Sequence, residues 1–137
     1  MPVRSAFVDT NIWVYAHLQS PGDPRHERAL ERIRVEPAMV ISPQVVGEYV
    51  VVMVRNKRPE AWITTNLRAI FAHTKLQPVD AAVVNATLAL RRRYGFSYWD
   101  SQIVAAALAS GCDRLLSEDL QHGQRIDDQL QIVNPLV

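Results

Sequence analysis

The chain has few residues that could cross-link its fold or anchor it in a membrane. It has one cysteine, Cys112, so no internal disulfide can form, and its four histidines lie at no spacing typical of a zinc site. It lacks an apolar run long enough to cross a bilayer, and its N-terminus has no signal-peptide pattern. These absences predict a cytoplasmic protein that folds by burying apolar surface.

An excess of one charge sign is also missing. The formal net charge is +1, which excludes a polybasic protein held by bulk charge alone but permits a local basic patch. The apolar fraction of 48% can fill one core, and a chain of 137 residues normally forms one domain. We therefore expect a single domain over residues 1–137.

Short apolar runs alternate with amphipathic stretches along the chain. The predicted strands are Ala6–Val8, Met39–Ser42, Lys75–Val79, Arg114–Leu116 and Gln131–Val133. The predicted helices are Ile12–His17, His26–Val35, Gln44–Asn56, 59–73, Ala81–Tyr94 and Tyr98–Ser110. This alternation favours an α/β fold with a parallel sheet covered on both faces. In such sheets ligands bind beyond the carboxyl ends of the strands.

Four acidic residues stand where an acidic residue is awkward for the fold, namely Asp9, Glu48, Asp100 and Asp119. Asp9 and Asp119 fall just past predicted strand ends, so both should lie on one edge of the sheet. A buried carboxylate is unfavourable unless it is paired or binds a metal, and clustered carboxylates usually hold divalent cations. Their joint placement predicts a cation site.

Each acid also has a structural interpretation. Asp9 can be a turn or helix N-cap residue, and Asp119 can cap a short helix after its strand. Ser97-x-x-Asp100 approximates a capping box, which explains an acid there without a metal. Glu48 interrupts an apolar helix face, which favours a site over an exposed helix rim.

These segments together resemble a known family. The matching pieces are Val8-Asp-Thr-Asn11, Glu48, Tyr98-Trp-Asp-Ser-Gln-Ile-Val-Ala-Ala-Ala107 and Leu115-Leu-Ser-Glu-Asp-Leu120. The chain resembles the PIN-domain ribonucleases, and specifically the VapC-like toxins of prokaryotic toxin–antitoxin pairs, over nearly its whole length. The resemblance implies a three-layer α/β/α sandwich with a central parallel sheet. It also implies a Mg²⁺- or Mn²⁺-dependent endoribonuclease, often dimeric and inhibited by a small antitoxin.

The resemblance carries over residue by residue. The residues that match the acidic quartet, and hence the implied catalytic and metal-binding residues, are Asp9, Glu48, Asp100 and Asp119. The matching polar residues, which would orient the acids or the scissile phosphate, are Thr10, Asn11 and Ser117. We expect Asp9 and Asp100 nearest the principal ion, with the other two acids acting through water or on a second ion. Asp119 is preferred to its neighbour Glu118 because the family spacing is Ser/Thr-x-Asp.

Basic and aromatic residues provide the expected contacts with partners. Close to Asp100, the fifth helix ends in three candidate RNA-binding residues, Arg91, Arg92 and Arg93; cations at a helix C-terminus also complement its dipole. A second candidate cluster is Arg55, Lys57 and Arg58. A homodimer and a hydrophobic antitoxin groove are predicted if some aromatic residues of the early helices are exposed, the candidates being Trp13, Tyr15, Tyr49 and Trp62.

Other functions compete with the toxin nuclease. A PIN-type RNA-processing nuclease without a toxin role would carry the same residues. A non-catalytic RNA- or partner-binding domain has no need for four acids that repel one another. A phosphate hydrolase with a covalent intermediate on Asp9 usually needs a second aspartate where this chain has Asn11.

Overall fold

The computed structural model describes residues 4–137, in which six helices surround a six-stranded sheet. The strands are β1 (Ala6–Val8), β2 (Met39–Ile41), β3 (Thr74–Leu76), β4 (Arg114–Leu116), β5 (Arg125–Ile126) and β6 (Leu130–Val133). The helices are α1 (Thr10–His17), α2 (Arg25–Val35), α3 (Pro43–Arg55), α4 (Glu60–His73), α5 (Ala81–Tyr94) and α6 (Tyr98–Ala109).

The strand order is β3-β2-β1-β4-β6-β5, and every pair is parallel except β5 with β6. The chain runs outward from β1 to β3 and then returns to β4 on the other side of β1. Because such crossovers are right-handed, α1–α4 cover one face and α5 and α6 the other. The predicted α/β class and three-layer sandwich are confirmed.

Apolar sequence explains the central layer. Ala6, Phe7 and Val8 are completely buried, as a strand covered on both faces requires. Helix α6 is buried from Ser101 to Ala107, where its alanines let the helix backbone approach the sheet closely. Among the helices of residues 4–137, none has both the length and the apolar composition of a membrane span.

One strand was not predicted. β5 has two residues, of which only Ile126 is buried, so it has no alternating pattern that a sequence could reveal. It pairs with β6 across a turn in which Asp127 and Asp128 both have positive φ values, 52° and 53°. Aspartate tolerates this left-handed conformation better than most residues.

Two of the four aromatic residues that the sequence offered as possible surface on the early helices are buried. Trp13 and Tyr49 are core residues: the Trp13 Nε1 donates to the Val8 carbonyl at 3.2 Å, and the Tyr49 hydroxyl lies 2.6 Å from His17 Nδ1. Tyr15 and Trp62 are only partly buried. The large apolar side chains that reach solvent include Val51, Val54, Phe71, Leu76, Leu88 and Trp99.

Candidate active site

Two neighbouring strand ends create the centre of the site. Asp9 directly follows β1, and Ser117 directly follows β4. These strands pair in parallel with Val8 beside Leu116, and the Asp9 N–H donates to the Leu116 carbonyl at 3.0 Å. The helical connections that follow β1 and precede β4 cover opposite faces of the sheet. In α/β proteins, ligand-binding crevices usually form where the connections of neighbouring strands diverge in this way.

Asp9 is both a helix cap and a buried acid. It is the N-cap of α1, where its Oδ1 accepts from the Thr10 N–H at 2.8 Å, and its Oδ2 accepts from the Ser117 hydroxyl at 2.8 Å. Burial raises the pKa of Asp9 to about 7 against the effect of these two hydrogen bonds, and the charges of Asp119 and Glu48 add to the rise. The carboxylate would therefore be stabilised by a cation at the site.

Glu48 lies on the exposed rim of α3, so its exposure alone does not distinguish a site residue from a rim residue. The rim still faces the site, because the Thr10 hydroxyl donates to Glu48 Oε2 at 2.9 Å. One helical turn before it, Gln44 Nε2 donates to Glu48 Oε1 at 2.7 Å. Thr10 thus contacts two acids, Asp9 through its backbone N–H and Glu48 through its hydroxyl.

Asp119 lies in the loop after β4, where no helix follows for it to cap. Its backbone N–H donates to the Ser117 hydroxyl at 3.2 Å, and Asn11 Nδ2 approaches its Oδ2 at 3.4 Å. Partial burial raises the pKa of Asp119, and the charges of Glu118, Asp100 and Glu48 raise it further. The carboxylates of the site therefore lie close enough to repel one another.

Glu118, the neighbour of Asp119, also contacts the site. Its Oε1 accepts from Asn11 Nδ2 at 3.1 Å and from the Tyr15 hydroxyl at 3.2 Å. Arg25 supports this arrangement, since its guanidinium stacks over the Tyr15 ring at 4.4 Å and donates to the Tyr15 hydroxyl. The available signal was the four-residue spacing of Asn11 and Tyr15, which places them on one face of α1.

Asp100 lies in the first turn of α6, and its N–H donates to the Ser97 hydroxyl at 3.1 Å. This is one half of a capping box. Among residues 4–137, no donor hydrogen-bonds the Asp100 carboxylate. This carboxylate is close enough to Asp119 for its charge to raise the pKa of Asp119. The capping interpretation therefore explains the backbone of Asp100, and the carboxylate remains available to the site.

The site offers oxygen ligands but not a finished ligand set. Within residues 4–137, no three Asp, Glu, His or Cys side chains are arranged so that they could hold a metal ion. The carboxylates are turned toward the hydroxyl and amide donors of Thr10, Asn11 and Ser117. The residues nevertheless fit Mg²⁺ chemically, because this ion keeps several of its waters and takes only one or two carboxylates directly. Zinc would require nitrogen or sulfur ligands that the site does not contain.

The three arginines at the end of α5 differ in their contacts with the rest of the protein. Arg93 forms an ion pair with Asp127 at 3.0 Å, and the Tyr94 hydroxyl donates to the same carboxylate at 2.9 Å. This aspartate lies in the turn that enters β6, at the opposite edge of the sheet from Asp9. Arg91 and Arg92 are exposed. Their contact with RNA stays a prediction, and Arg93 already has a structural partner.

Fold and site together define a class: an α/β domain with acidic side chains gathered where neighbouring parallel strands end. The family model described as the PIN domain matches residues 6–127, and the chain belongs to this family. Members of the family are nucleases, and they generally use divalent metal ions. No curated protein sequence matches the chain.

Several solved structures share the fold. VapC20 of Mycobacterium tuberculosis, a sarcin-ricin loop cleaving toxin, is 21% identical with a TM-score of 0.67, over 83% of this chain and 91% of that one. A toxin–antitoxin complex from Klebsiella pneumoniae is 20% identical with a TM-score of 0.69, over 95% and 97%. VapBC2 of Rickettsia felis, bound to a DNA fragment from its promoter, is 19% identical with a TM-score of 0.66, over 95% and 99%. At this identity the likeness concerns the fold.

Proposed function

We propose that this chain is a Mg²⁺- or Mn²⁺-dependent endoribonuclease and the toxin of a toxin–antitoxin pair, with one domain over residues 1–137. The observation that carries the proposal is the gathering of four carboxylates around the ends of β1 and β4. Asp9 and Asp119 follow these strands, and Glu48 on α3 and Asp100 on α6 lie close enough for their charges to raise the pKa of Asp119. Thr10, Asn11 and Ser117 hydrogen-bond three of the four acids, namely Asp9, Glu48 and Asp119. Mutually repelling acids are unfavourable for folding, so their gathering indicates a function that needs negative charge.

The side chains of the site have two proposed roles, binding the ion and orienting the acids that bind it. A bound divalent ion supplies an activated water and neutralises charge on the phosphodiester. Asp9 and Asp100 would lie nearest such an ion, and Glu48 and Asp119 would act through its waters or on a second ion. The Ser117 hydroxyl fixes the orientation of Asp9, and its acceptor lone pair holds the loop that carries Asp119. Supporting hydrogen bonds of this kind orient ligands before the substrate arrives.

Positively charged side chains near the acids would bind the phosphates of the RNA. The end of α5 carries Arg91 and Arg92 within eight or nine residues of Asp100 in sequence, and both side chains are exposed. Arginine pairs well with phosphate because its planar donors match two oxygens. The lone cysteine, Cys112, is buried and unpaired within residues 4–137, which suits a reducing cytoplasm.

An antitoxin and a second copy of the chain are the proposed protein partners. The Klebsiella and Rickettsia structures are toxin–antitoxin assemblies that share this fold. Apolar side chains on α3 and α4 that reach solvent, among them Val54 and the partly buried Trp62, offer surface for such contacts. Light scattering at micromolar concentration should report a dimer, and a strictly monomeric protein would remove the second copy from the proposal.

The decisive experiment measures RNA cleavage by the purified chain. Cleavage should require Mg²⁺ or Mn²⁺, stop in EDTA, and be abolished in Asp9→Asn while the circular dichroism spectrum is unchanged. Asp80→Asn is the matched control, because Asp80 is also an N-cap whose carboxylate accepts a backbone N–H, at α5 instead of α1. Full cleavage by Asp9→Asn, or equal loss in Asp80→Asn, would contradict the proposed site.

A further inference from the structure

A groove leaves the acidic site along helix α3. It has a volume of about 640 Å³, and its near end is formed by Thr10, Asn11 and Glu48. An RNA chain cut at the acids must continue over neighbouring surface, because the nucleotides that flank the scissile phosphate are covalently attached to it. This groove shares Thr10, Asn11 and Glu48 with the site and is therefore a path that one flanking nucleotide can follow.

The floor of the groove is apolar and open. One face of α3 contributes Gly47, Val51 and Val52, and Val51 is 49% exposed. A glycine in the middle of a helix is unfavourable compared with alanine. Apart from its chain neighbours and the backbone of α3 itself, no heavy atom lies within 4 Å of the position that a Cβ on Gly47 would occupy, so packing against other parts of the protein does not require glycine there. Its missing side chain keeps the groove wide beside Glu48.

Trp99 forms the wall and is 62% exposed. Its carbonyl accepts from Gln44 Nε2 at 3.1 Å, and the same amide group holds Glu48. The Gln44 Oε1 in turn accepts from Gln102 Nε2 at 2.9 Å. The Tyr98 ring meets the Trp99 ring edge-to-face, with centroids 5.0 Å apart. A large aromatic face exposed at the surface next to the acidic site is suited to stacking on a base.

The far end of the groove carries a cation. Arg55 lines it, and it lies two helical turns beyond Glu48, about 10 Å along the axis of α3. The groove thus brings carboxylates, an apolar floor, an aromatic wall and a guanidinium around one space. This lining complements a nucleotide whose scissile phosphate is at the acids, whose base is on the aromatic ring and whose next phosphate is at the cation.

We propose that the groove formed by Gly47, Val51, Val52 and Trp99 binds one unpaired nucleoside of the RNA substrate next to the scissile bond, and that Arg55 binds the following phosphate. This inference rests on the proposed ribonuclease function and specifies its substrate: the nucleotide next to the cut must be single-stranded. A base that remained paired in a duplex could not stack on Trp99.

The test measures binding of a short labelled single-stranded RNA by fluorescence anisotropy, in Mg²⁺ and on the Asp9→Asn background so that the RNA stays intact. Trp99→Ala removes the wall, and Gly47→Leu fills the groove with a residue that favours the helix more than glycine does. Each should raise the Kd roughly tenfold, the loss expected for one stacked base, and Trp99→Phe should recover most of the affinity. The controls are Phe71→Ala and Ala61→Leu, equivalent changes at exposed positions of α4, which should leave the Kd unchanged.

An abasic nucleotide beside the cleavage site completes a double-mutant cycle. It should weaken binding to the parent protein but cause no further loss in Trp99→Ala. Equal losses in both proteins, or unchanged affinity of both groove variants, would overturn the inference. A groove variant that becomes monomeric while its RNA affinity is unchanged would also overturn it and assign the groove to a second copy. If the parent binds no RNA and the wild-type chain cleaves none, the proposed function itself fails.

Discussion

Asp9 stabilises the fold as the N-cap of α1 and destabilises it when its buried carboxylate is ionised. Burial raises its pKa to about 7 in the folded protein, whereas the unfolded chain leaves it near ~4. The folded state therefore binds the proton more tightly. The corresponding stability is fully present below the unfolded pKa and is lost as the pH rises through about 7. The ionised form that a metal site needs is thus the less stable form without a cation.

Asp9→Asn should remove this pH dependence. In EDTA, the free energy of unfolding of the variant should match that of wild type near pH 4. It should exceed the wild-type value at pH 8 by up to about 4 kcal/mol, at about 1.4 kcal/mol per pKa unit. Urea unfolding across this pH range measures the difference. A variant less stable than wild type at pH 8 would mean that the charge on the α1 cap outweighs burial and repulsion.

Glu118 and Asp119 are adjacent acids with different surroundings. Glu118 is occupied by Asn11 and Tyr15, whereas Asp119 faces Asp100 and Glu48 closely enough to be affected by their charges. Glu118→Gln keeps an acceptor for both donors, so RNA cleavage should fall on the order of tenfold or less. Asp119→Asn should reduce it by more than about a hundredfold, because it removes charge facing the ion. Single-turnover rates compare the two, and the reverse ranking would exchange their roles.

At the scale of whole elements, helix α5 carries one arginine that pairs within the protein and two that are free to contact RNA. Arg93 joins α5 to the turn before β6 through Asp127, so Arg93→Gln should lower stability by about 0.5 kcal/mol, as expected for an exposed ion pair. Its RNA affinity should keep the same salt dependence. The double change Arg91→Gln and Arg92→Gln should instead flatten the plot of log K against log salt by about 1.4, at about 0.7 per phosphate contact. An unchanged slope would redirect the search for RNA contacts to the cluster of Arg55, Lys57 and Arg58.

Elements whose sequence carries a local signal were predictable. The buried run Ala6–Val8 and the helix stop at Gly95, which has a φ of 75°, mark their boundaries by composition alone. Asp9 could be placed near Asp119 because strand ends share an edge. The link between Gln44 and Trp99 could not be predicted, because it depends on side-chain positions across two helices distant in sequence. The burial of Trp13 was also missed, since local sequence does not reveal which face of a short helix meets the sheet.

At the scale of the whole molecule, the acids and the fold are coupled through the cation. A ligand that binds only the folded state stabilises it according to its concentration relative to Kd. Two of the carboxylates, Asp9 and Asp119, follow β1 and β4 in the middle of the sheet. Repulsion among them therefore weakens the centre of the fold, and a bound ion would relieve that repulsion for the whole domain.

Thermal unfolding should therefore respond to Mg²⁺. At ten times its Kd, the ion should stabilise the wild-type chain by about 1.4 kcal/mol, which corresponds to a rise in Tm of roughly 3–5 °C for a domain of this size. Asp9→Asn should start from a higher Tm in EDTA at pH 8 and rise much less with Mg²⁺, whereas Asp80→Asn should respond like wild type. A sodium salt at matched ionic strength separates specific binding from screening. If the sodium salt raised the Tm as much as Mg²⁺ does, the carboxylates would be repelling one another without forming a cation site.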